Sequence, residues 1–409
     1  MQIIRAMIYT LAAFGILFFA LKKKNSKPLF RAAMAFCWVV IALCLDSHDI
    51  FNYRNAYNHL IARGRDPFFD FFQITIAKTG LPFDLFKIIY GTLTWLLLYR
   101  ALGLYTEDTA LIAALFAIGP MMGFGTQMRS SMAGVIMLNA LPFLLHGKKD
   151  VWKYCLLLTV ASLFHIMALF YFIFLIPIFF QTDSTRFRNI MLGFALLLLV
   201  VFVVFAKSIS VLLISIQKYI PSSSVQSILS RFARYLSGEM SPNIKGFLFG
   251  SGGHIVSFFL ADKMCEIMLD LRKNHALPQQ KKYLSSSTIS FLRNLNSLMV
   301  LIVPCYALSL QFDRFFAYFV PVAYSLIVQG ICELKLSREH HAGWFQNSAS
   351  CNIQGVRTHM YSLDAEYMRS IALFLLLSCL TFCFLVSNWY SGFSEFSRIV
   401  TGIARFGGL

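Results

Sequence analysis

Long apolar stretches separated by short polar loops recur along the whole sequence and predict a helical membrane protein. Runs of about 17 to 25 apolar residues are long enough to cross the roughly 30 Å hydrocarbon core of a bilayer as helices. The pattern predicts an all-α, polytopic bundle of about twelve spans. These are residues 3–21, 29–45, 85–104, 109–122, 130–145, 151–164, 166–180, 190–206, 247–261, 289–310, 315–334 and 370–388.

The composition supports one membrane domain over residues 1–409. Hydrophobic residues make up 58% of the chain and charged residues only 13%, which is too little polar surface for a soluble fold of this size. The first apolar run is followed by "KKKNSK" and not by a small-residue cleavage site, so we expect it to be a span. We find no phosphate-binding glycine loop and no paired-cysteine motif, which argues against a nucleotide-driven pump.

The distribution of lysine and arginine predicts the orientation. The densest basic clusters, such as "KKKNSK" and "HGKKD", fall in loops on one side of the predicted bundle, and this side is expected to be cytoplasmic. Both termini then lie outside. Residues 46–84 and 207–246 become the two large outer segments, and residues 335–368 become a cytoplasmic loop.

Each large outer segment contains a predicted helix. In "VQSILSRFARYL" the apolar residues recur at helical spacing, while Arg231 and Arg234 mark another face, so an amphipathic interfacial helix is expected there. It is either a lid over a lipid-linked substrate or a helix that only rests on the bilayer. The stretch "DPFFDFFQITIAKTG" predicts a similar in-plane helix, with Asp66 and Pro67 as its entry turn.

Polar and ionisable residues occur at the outer ends of several spans, where the same topology places them at one depth. Such residues are costly inside a membrane and usually face a cavity, so a convergent set predicts a site. Each also has a structural alternative: histidines complete hydrogen bonds at turns, arginines reach lipid phosphates, and tyrosines populate membrane interfaces. The candidate residues are Asp46, Asp49, Tyr53, Arg54, Tyr57, Gln127, Arg129, His165, Asp313, Arg314 and Tyr318.

The order of these motifs resembles the EpsG family. The motifs are "DIFNYRNAY" after the second span, "QMRSSMA" opening a later span, "ASLFHIMAL" around His165, and finally "DRFFAYF". The resemblance implies a Wzy-like glycosyltransferase of the bacterial inner membrane that polymerises O-antigen, capsule or exopolysaccharide on the periplasmic face. Its donor is expected to be a growing glycan on undecaprenyl pyrophosphate, and its acceptor the terminal sugar of a new lipid-linked repeat unit.

This reaction gives each candidate residue an expected role. Departure of a pyrophosphate develops negative charge, which arginines can stabilise, and Arg129 and Arg314 are the first candidates. His165 is the expected base for the acceptor hydroxyl, with Asp49 as the second candidate. The other expected substrate-binding residues are Asp46, Tyr53, Arg54, Tyr57, Gln127, Arg231, Arg234, Asp313 and Tyr318.

No metal and no cofactor is expected. The donor arrives already activated, and the sequence has no second acidic cluster that could complete a metal site with Asp46, His48 and Asp49. The expected partners are the lipid-linked oligosaccharides and membrane lipids, with a chain-length regulator and a flippase implied by the resemblance, and no nucleic acid. The alternative functions are a ligase, a transporter or flippase of lipid-linked oligosaccharide, and a membrane acyltransferase. The sequence does not specify the sugar repeat, the linkage or the oligomeric state.

Overall fold

The computed structural model describes residues 2–23, 26–44, 47–62, 64, 66–118, 120–145, 147–179, 183–238, 244–273, 284–309, 312–347, 367–372 and 374. Within these ranges the chain is helical and contains no strand, as the sequence predicts. The first helices in chain order are α1 (Gln2–Lys22), α2 (Lys27–Leu43), α3 (His48–Asn58), α4 (Pro67–Ala77), α5 (Phe83–Leu102), α6 (Thr109–Ile118), α7 (Met121–Thr126) and α8 (Met128–Ala140).

The remaining helices follow in the second half of the chain. They are α9 (Pro142–Leu145), α10 (Val151–Phe164), α11 (Ile176–Phe179), α12 (Ser184–Gln217), α13 (Ser223–Leu236), α14 (Ile244–Lys273), α15 (Ser286–Met299) and α16 (Asp313–Asn347). In the part of the chain that the structure describes, the segments Gly147–Asp150, Ile166–Leu175 and Val300–Ala307 wind more tightly as 3₁₀ helices.

The structure supports a multi-pass membrane protein but does not confirm twelve spans. Among the described residues, five helical stretches are long and apolar enough to cross a bilayer. They are Phe83–Leu102, Met128–Leu145, Ser184–Gln217, Ser286–Ala307 and Phe315–Glu339. Three further apolar stretches, Tyr9–Lys22, Thr109–Ile118 and Ile166–Phe179, are shorter than an ordinary span. Most of the predicted final span, residues 370–388, lies outside the described residues.

Helix breaks at His165 and before Pro120 interrupt apolar sequence. The break predicted at His165 is present: this residue has an extended backbone between α10 and the 3₁₀ segment Ile166–Leu175. The stretch 109–122, predicted as one span, is also interrupted, because α6 ends at Ile118 and α7 begins only after Pro120. Proline lacks the N–H that a continuing helix requires, which favours a helix start at this position.

Helix α12 is longer than predicted. The expected span ended at residue 206, but the apolar sequence continues and the helix runs for 34 residues to Gln217. At 1.5 Å per residue it is about 51 Å long, well beyond a hydrocarbon core of roughly 30 Å. Helix α13 is the predicted amphipathic helix, and it packs back against α12, where the Ser210 hydroxyl donates to the Ala233 carbonyl. The ring of Tyr235 contacts Phe312 beside the start of α16.

Buried ion pairs connect the helices of the second half. Arg272 on α14 pairs with Glu333 on α16, and both side chains are almost fully buried. Asp262 on α14 accepts from both Arg188 and Arg293, at 2.7 Å each. Removing one partner of such a pair leaves an uncompensated charge in the apolar interior, so these contacts fix how α12, α14, α15 and α16 pack.

The first half of the bundle forms the frame of the candidate site. Helix α5 packs so closely on α2 that a Cβ added to Gly91 would lie 2.8 Å from the Cα of Ala42. Helix α8 similarly approaches α16, because a Cβ at Gly134 would lie 2.7 Å from the Tyr318 ring. Helices α3 and α4 pack at the α5 end of this frame and contribute the polar side chains described next.

Candidate active site

The centre of the site is the carboxylate of Asp66, which lies in the loop between α3 and α4. Pro67 begins α4, and the Asp66 side chain makes no capping hydrogen bond to this helix. The loop is held from within, because Asp70 accepts from the Gly64 N–H at 2.7 Å and the Gln73 amide donates to the Ile61 carbonyl. The Asp66 carboxylate is therefore directed away from its own helix, and its side chain is only 2% exposed.

Arg129, in the first turn of α8, is the cationic partner of Asp66. Its Nη1 donates to Asp66 Oδ2, and its Nε donates to the Tyr53 hydroxyl at 3.3 Å. The guanidinium also lies over the rings of Tyr53 and Phe69, at 5.5 and 6.0 Å from their centroids. Among the described residues, Nη2 of Arg129 has no hydrogen-bond partner, and the side chain is 16% exposed. Arg129 can therefore donate a further hydrogen bond to a ligand.

His165 faces the other oxygen of the same carboxylate. Its Nδ1 lies 3.7 Å from Asp66 Oδ1, and the N–H of Ile166 donates to this oxygen at 3.2 Å. The Nδ1 also accepts from the Met167 N–H at 3.5 Å. Because the helix breaks at His165, the N–H groups of Ile166 and Met167 at the start of the 3₁₀ segment do not donate to the preceding turn, as they would in a continuous helix. The break therefore positions both the imidazole and a backbone donor at Asp66.

Aromatic rings enclose this polar centre. Tyr53 packs edge to face on Phe69, with ring centroids 5.6 Å apart, and Phe69 packs perpendicular to Tyr90 at 5.5 Å. Tyr318 on α16 stacks on Tyr171 at 5.9 Å. Such flat faces with hydroxyl groups suit a ligand that has both apolar and polar surfaces.

The pKa of Asp66 is higher than that of an ordinary aspartate, so its surroundings favour the protonated form. Burial raises the pKa of the Asp66 carboxyl above its usual 3.8, while the Arg129 guanidinium and the Ile166 N–H offset this only in part. The nearby Asp70 carboxylate raises this pKa further. A carboxyl that remains buried despite this cost is typical of functional sites.

The structure brings together Tyr53, Arg129 and His165, which were predicted from separate parts of the sequence. Tyr318 lies against α8, where its ring is the nearest neighbour of Gly134. Gln127 stands at the α7–α8 junction, and its side-chain oxygen accepts from Ser130 at 3.2 Å. The participation of these residues in chemistry stays a prediction.

Two other candidates have partners of their own. Arg54 pairs with Asp84 at 2.9 Å, and both side chains are more than a third exposed. The Tyr57 hydroxyl donates to the Leu81 carbonyl at 2.8 Å, and its ring stacks on Phe86. These contacts join α3 to α5 and to the loop before it, which is a structural role for both residues.

The remaining candidates are described only in part. Asp49 lies in the first turn of α3 and is half-buried, and Arg234 is exposed in the last turn of α13. Asp46 lies outside the described residues, as do the side chains of Arg231, Asp313 and Arg314. Their backbones belong to α13 and to the first turn of α16. No group of three or more His, Cys, Asp or Glu side chains in the described ranges is arranged to hold a metal ion.

Sequence reasoning missed two members of this region, Asp66 and Tyr90. Asp66 was interpreted as the entry turn of α4, because an aspartate before a proline is an ordinary start signal for a helix. Tyr90 lies within the apolar run of α5, where a tyrosine is unremarkable. Neither residue had a local signal that pointed to chemistry, because both acquire their environment from distant parts of the chain.

Comparison with known proteins supports the same family as the motifs. The sequence profile of the EpsG family matches residues 27–345, which is most of the chain. Neither the curated proteins nor the solved structures contain a significant match. The matched range includes α2 to α15, all but the last two residues of α16, and the site residues Tyr53, Asp66, Arg129 and His165. The chain therefore belongs to the EpsG family, and it is a polysaccharide polymerase-like, multi-pass membrane protein.

Proposed function

We propose that this protein is a polysaccharide polymerase of the bacterial inner membrane, with its active site on the periplasmic face. It transfers a growing glycan from undecaprenyl pyrophosphate to the terminal sugar of an incoming lipid-linked repeat unit. The observation that carries this proposal is the contact of Asp66 with both Arg129 and His165 in a chain of the EpsG family. These three side chains supply the charge stabilisation and proton transfer that such a reaction needs.

The reaction is a substitution at the anomeric carbon of the donor sugar. The acceptor hydroxyl oxygen forms a bond to this carbon, while the bond from the carbon to the pyrophosphate oxygen breaks. The leaving undecaprenyl pyrophosphate takes the bonding electron pair, and the acceptor hydroxyl loses its proton to a base. No nucleotide or external energy source is required, because the sugar–pyrophosphate bond is already activated.

His165 is the proposed base. The proposed step uses the tautomer that carries its proton on Nδ1, which then faces Asp66 Oδ1 at 3.7 Å instead of accepting from the Met167 N–H. Nε2 is then the nitrogen that accepts the proton of the acceptor hydroxyl. The imidazolium formed in this step is stabilised by Asp66. General-base catalysis by a positioned histidine typically accelerates a reaction by about 10²- to 10⁴-fold.

Arg129 has two functions in this proposal. It neutralises Asp66 in the ligand-free site, and its unpartnered Nη2 is available to the pyrophosphate oxygens as charge develops on them. Arg314, in the first turn of α16, is a second candidate for the same task. The basic residues Arg231 and Arg234 of α13 are proposed to help hold the pyrophosphate.

The direct test is elongation of a lipid-linked substrate by the purified protein. The probe is the undecaprenyl-pyrophosphate oligosaccharide fraction extracted from source cells in which the gene has been deleted. Wild-type protein in detergent should convert this fraction to a ladder spaced by one repeat unit and release undecaprenyl pyrophosphate. Folded wild-type protein that produces no ladder would contradict the proposal, and movement of the intact substrate across vesicle membranes would favour a transporter instead.

A further inference from the structure

Tyr90 carries a buried hydroxyl group that has no role in the proposed reaction. The residue lies on α5, and its side chain is among the largest that are almost completely buried, at 1% exposure. Its ring contacts Phe69, Phe72 and Phe86, with centroids 5.5 to 6.2 Å away. The aromatic body of Tyr90 is therefore well packed.

The hydroxyl, in contrast, makes no hydrogen bond to any described residue. Two other buried tyrosines of this bundle do have partners: Tyr9 donates to the Ala117 carbonyl at 3.0 Å, and Tyr105 to the Leu138 carbonyl at 2.9 Å. Burying a hydroxyl without a partner costs free energy that a phenylalanine would avoid, so the group requires an explanation.

The aromatic neighbours of Tyr90 connect it to the candidate active site. Phe69, whose ring packs perpendicular to Tyr90, also packs against Tyr53 and lies 6.0 Å from the Arg129 guanidinium. Tyr90 is more deeply buried than Arg129 or His165, whose side chains are 16% and 13% exposed. It therefore belongs to the inner boundary of the site.

The chemistry of this boundary favours a sugar over a phosphate as the partner of Tyr90. The aromatic rings around it offer flat apolar faces, and its hydroxyl can both donate and accept, which matches the hydroxyl groups of a pyranose ring. The cationic donor of the site is Arg129, and that side chain is better suited to the pyrophosphate.

We propose that the Tyr90 hydroxyl hydrogen-bonds a sugar hydroxyl of the lipid-linked glycan when the substrate is bound. This inference rests on the proposed function, and it adds a substrate-positioning residue that the sequence motifs do not include. Arg129 and His165 are more exposed than Tyr90, so the bound glycan must extend past them to reach the Tyr90 hydroxyl. The orphan hydroxyl then gains its partner only in the complex.

The test compares Tyr90→Phe with Tyr105→Phe, which removes a buried hydroxyl that already has a partner. Elongation kinetics are measured with the extracted undecaprenyl-pyrophosphate oligosaccharides, and Tm is measured for both variants in the same detergent. Tyr90→Phe should lower kcat/KM about five- to tenfold, as expected for one lost hydrogen bond, and leave Tm unchanged or higher. Tyr105→Phe should lower Tm and leave kcat/KM unchanged.

The outcomes separate this inference from the proposed function. If wild-type protein elongates the substrate and Tyr90→Phe does so with unchanged kcat/KM, the Tyr90 inference is overturned while the polymerase proposal stands. A Tm loss in Tyr90→Phe as large as that in Tyr105→Phe would also overturn it, because the hydroxyl would then have a structural partner. A wild-type protein without elongation activity would contradict the proposed function itself.

Discussion

Asp66 and Arg129 lie 63 positions apart in the chain, and their side chains form a largely buried ion pair. The carboxylate precedes the short helix α4, and the guanidinium extends from the first turn of α8. A third group, His165, reaches the same carboxylate from a helix break another 36 residues further along the chain (165 − 129 = 36). The geometry of this triad leads to predictions that separate its function from its contribution to stability.

Asp66→Asn should abolish most of the activity without destabilising the fold. Because burial raises the pKa of Asp66, the ionised carboxylate is less favourable in the folded protein than in the unfolded chain. The neutral amide removes this cost but cannot stabilise an imidazolium at His165. We expect an elongation rate at least about 100-fold lower and a Tm equal to or above that of wild type at neutral pH.

The raised pKa of Asp66 also predicts how the difference in Tm between wild type and Asp66→Asn changes with pH. The folded state binds the Asp66 proton more tightly than the unfolded state, so wild type loses stability relative to Asp66→Asn as the pH rises from 3.8 through the raised pKa. Tm measured for both proteins across this range checks the sign. If the Tm of wild type instead rises relative to that of Asp66→Asn as the pH increases, the attraction between Asp66 and Arg129 outweighs the cost of burying the carboxylate.

Arg129→Gln should have the opposite effect on stability, because it leaves the Asp66 carboxylate buried without its cation. Breaking a buried pair by removing one partner typically costs about 3 to 5 kcal/mol. We expect a large drop in Tm at neutral pH that becomes smaller toward acidic pH, as Asp66 is protonated. The double variant Asp66→Asn, Arg129→Gln should recover Tm and remain inactive, and a double variant as unstable as Arg129→Gln would contradict this explanation.

Tyr53→Phe should reduce activity with a smaller effect. The Tyr53 hydroxyl accepts from Arg129 Nε at 3.3 Å, so its loss removes one of the contacts that orient the guanidinium. One such hydrogen bond is worth about 0.5 to 1.5 kcal/mol, or roughly two- to tenfold in elongation rate. Tyr9→Phe is the control, because its hydroxyl bonds to Ala117 on α6 and its loss should lower Tm without changing the rate.

Gly134→Ala should disturb the site through packing alone. The added Cβ would lie 2.7 Å from Cδ1 of Tyr318, so the ring or helix α16 must shift. Such overpacking costs about 1 to 3 kcal/mol, and we expect both Tm and elongation rate to fall. The matched control is Gly193→Ala on α12, where nothing lies within 4 Å of the added atom and neither quantity should fall.

The elements of the site could be predicted from the sequence where the signal is local. The apolar sequence around His165 is too long for one ordinary span and was consistent with two short helices or with one long tilted helix; the structure contains two helical segments that meet at His165. The helical spacing of apolar residues in residues 225–236 likewise predicted α13. The convergence of Tyr53, Arg129 and His165 followed from the predicted orientation, because all three were expected at the outer ends of their helices.

Other features could not be predicted, because they depend on contacts between distant segments. An aspartate before a proline is explained by helix capping, and only the fold shows that Asp66 instead pairs with Arg129. The buried pair of Arg272 and Glu333 joins α14 to α16 and has no local signature either. Within the described residues, five helical stretches are long enough to span a bilayer, and hydropathy gives no separate signal for the three shorter apolar stretches.

The central claim is that His165 performs proton transfer in glycan elongation, and one rate comparison tests it most directly. Elongation of the extracted lipid-linked oligosaccharides is measured for wild type, His165→Ala and His59→Ala. All three proteins are used at the same concentration and at a temperature well below each Tm. His59 is the control, because it is exposed at the end of α3 and its ring lies 2.9 Å from the Asn55 carbonyl of the same helix. We predict that His59→Ala keeps the wild-type rate while His165→Ala falls about 10²- to 10⁴-fold. A His165→Ala variant that elongates the glycan at the wild-type rate would contradict the proposed active site.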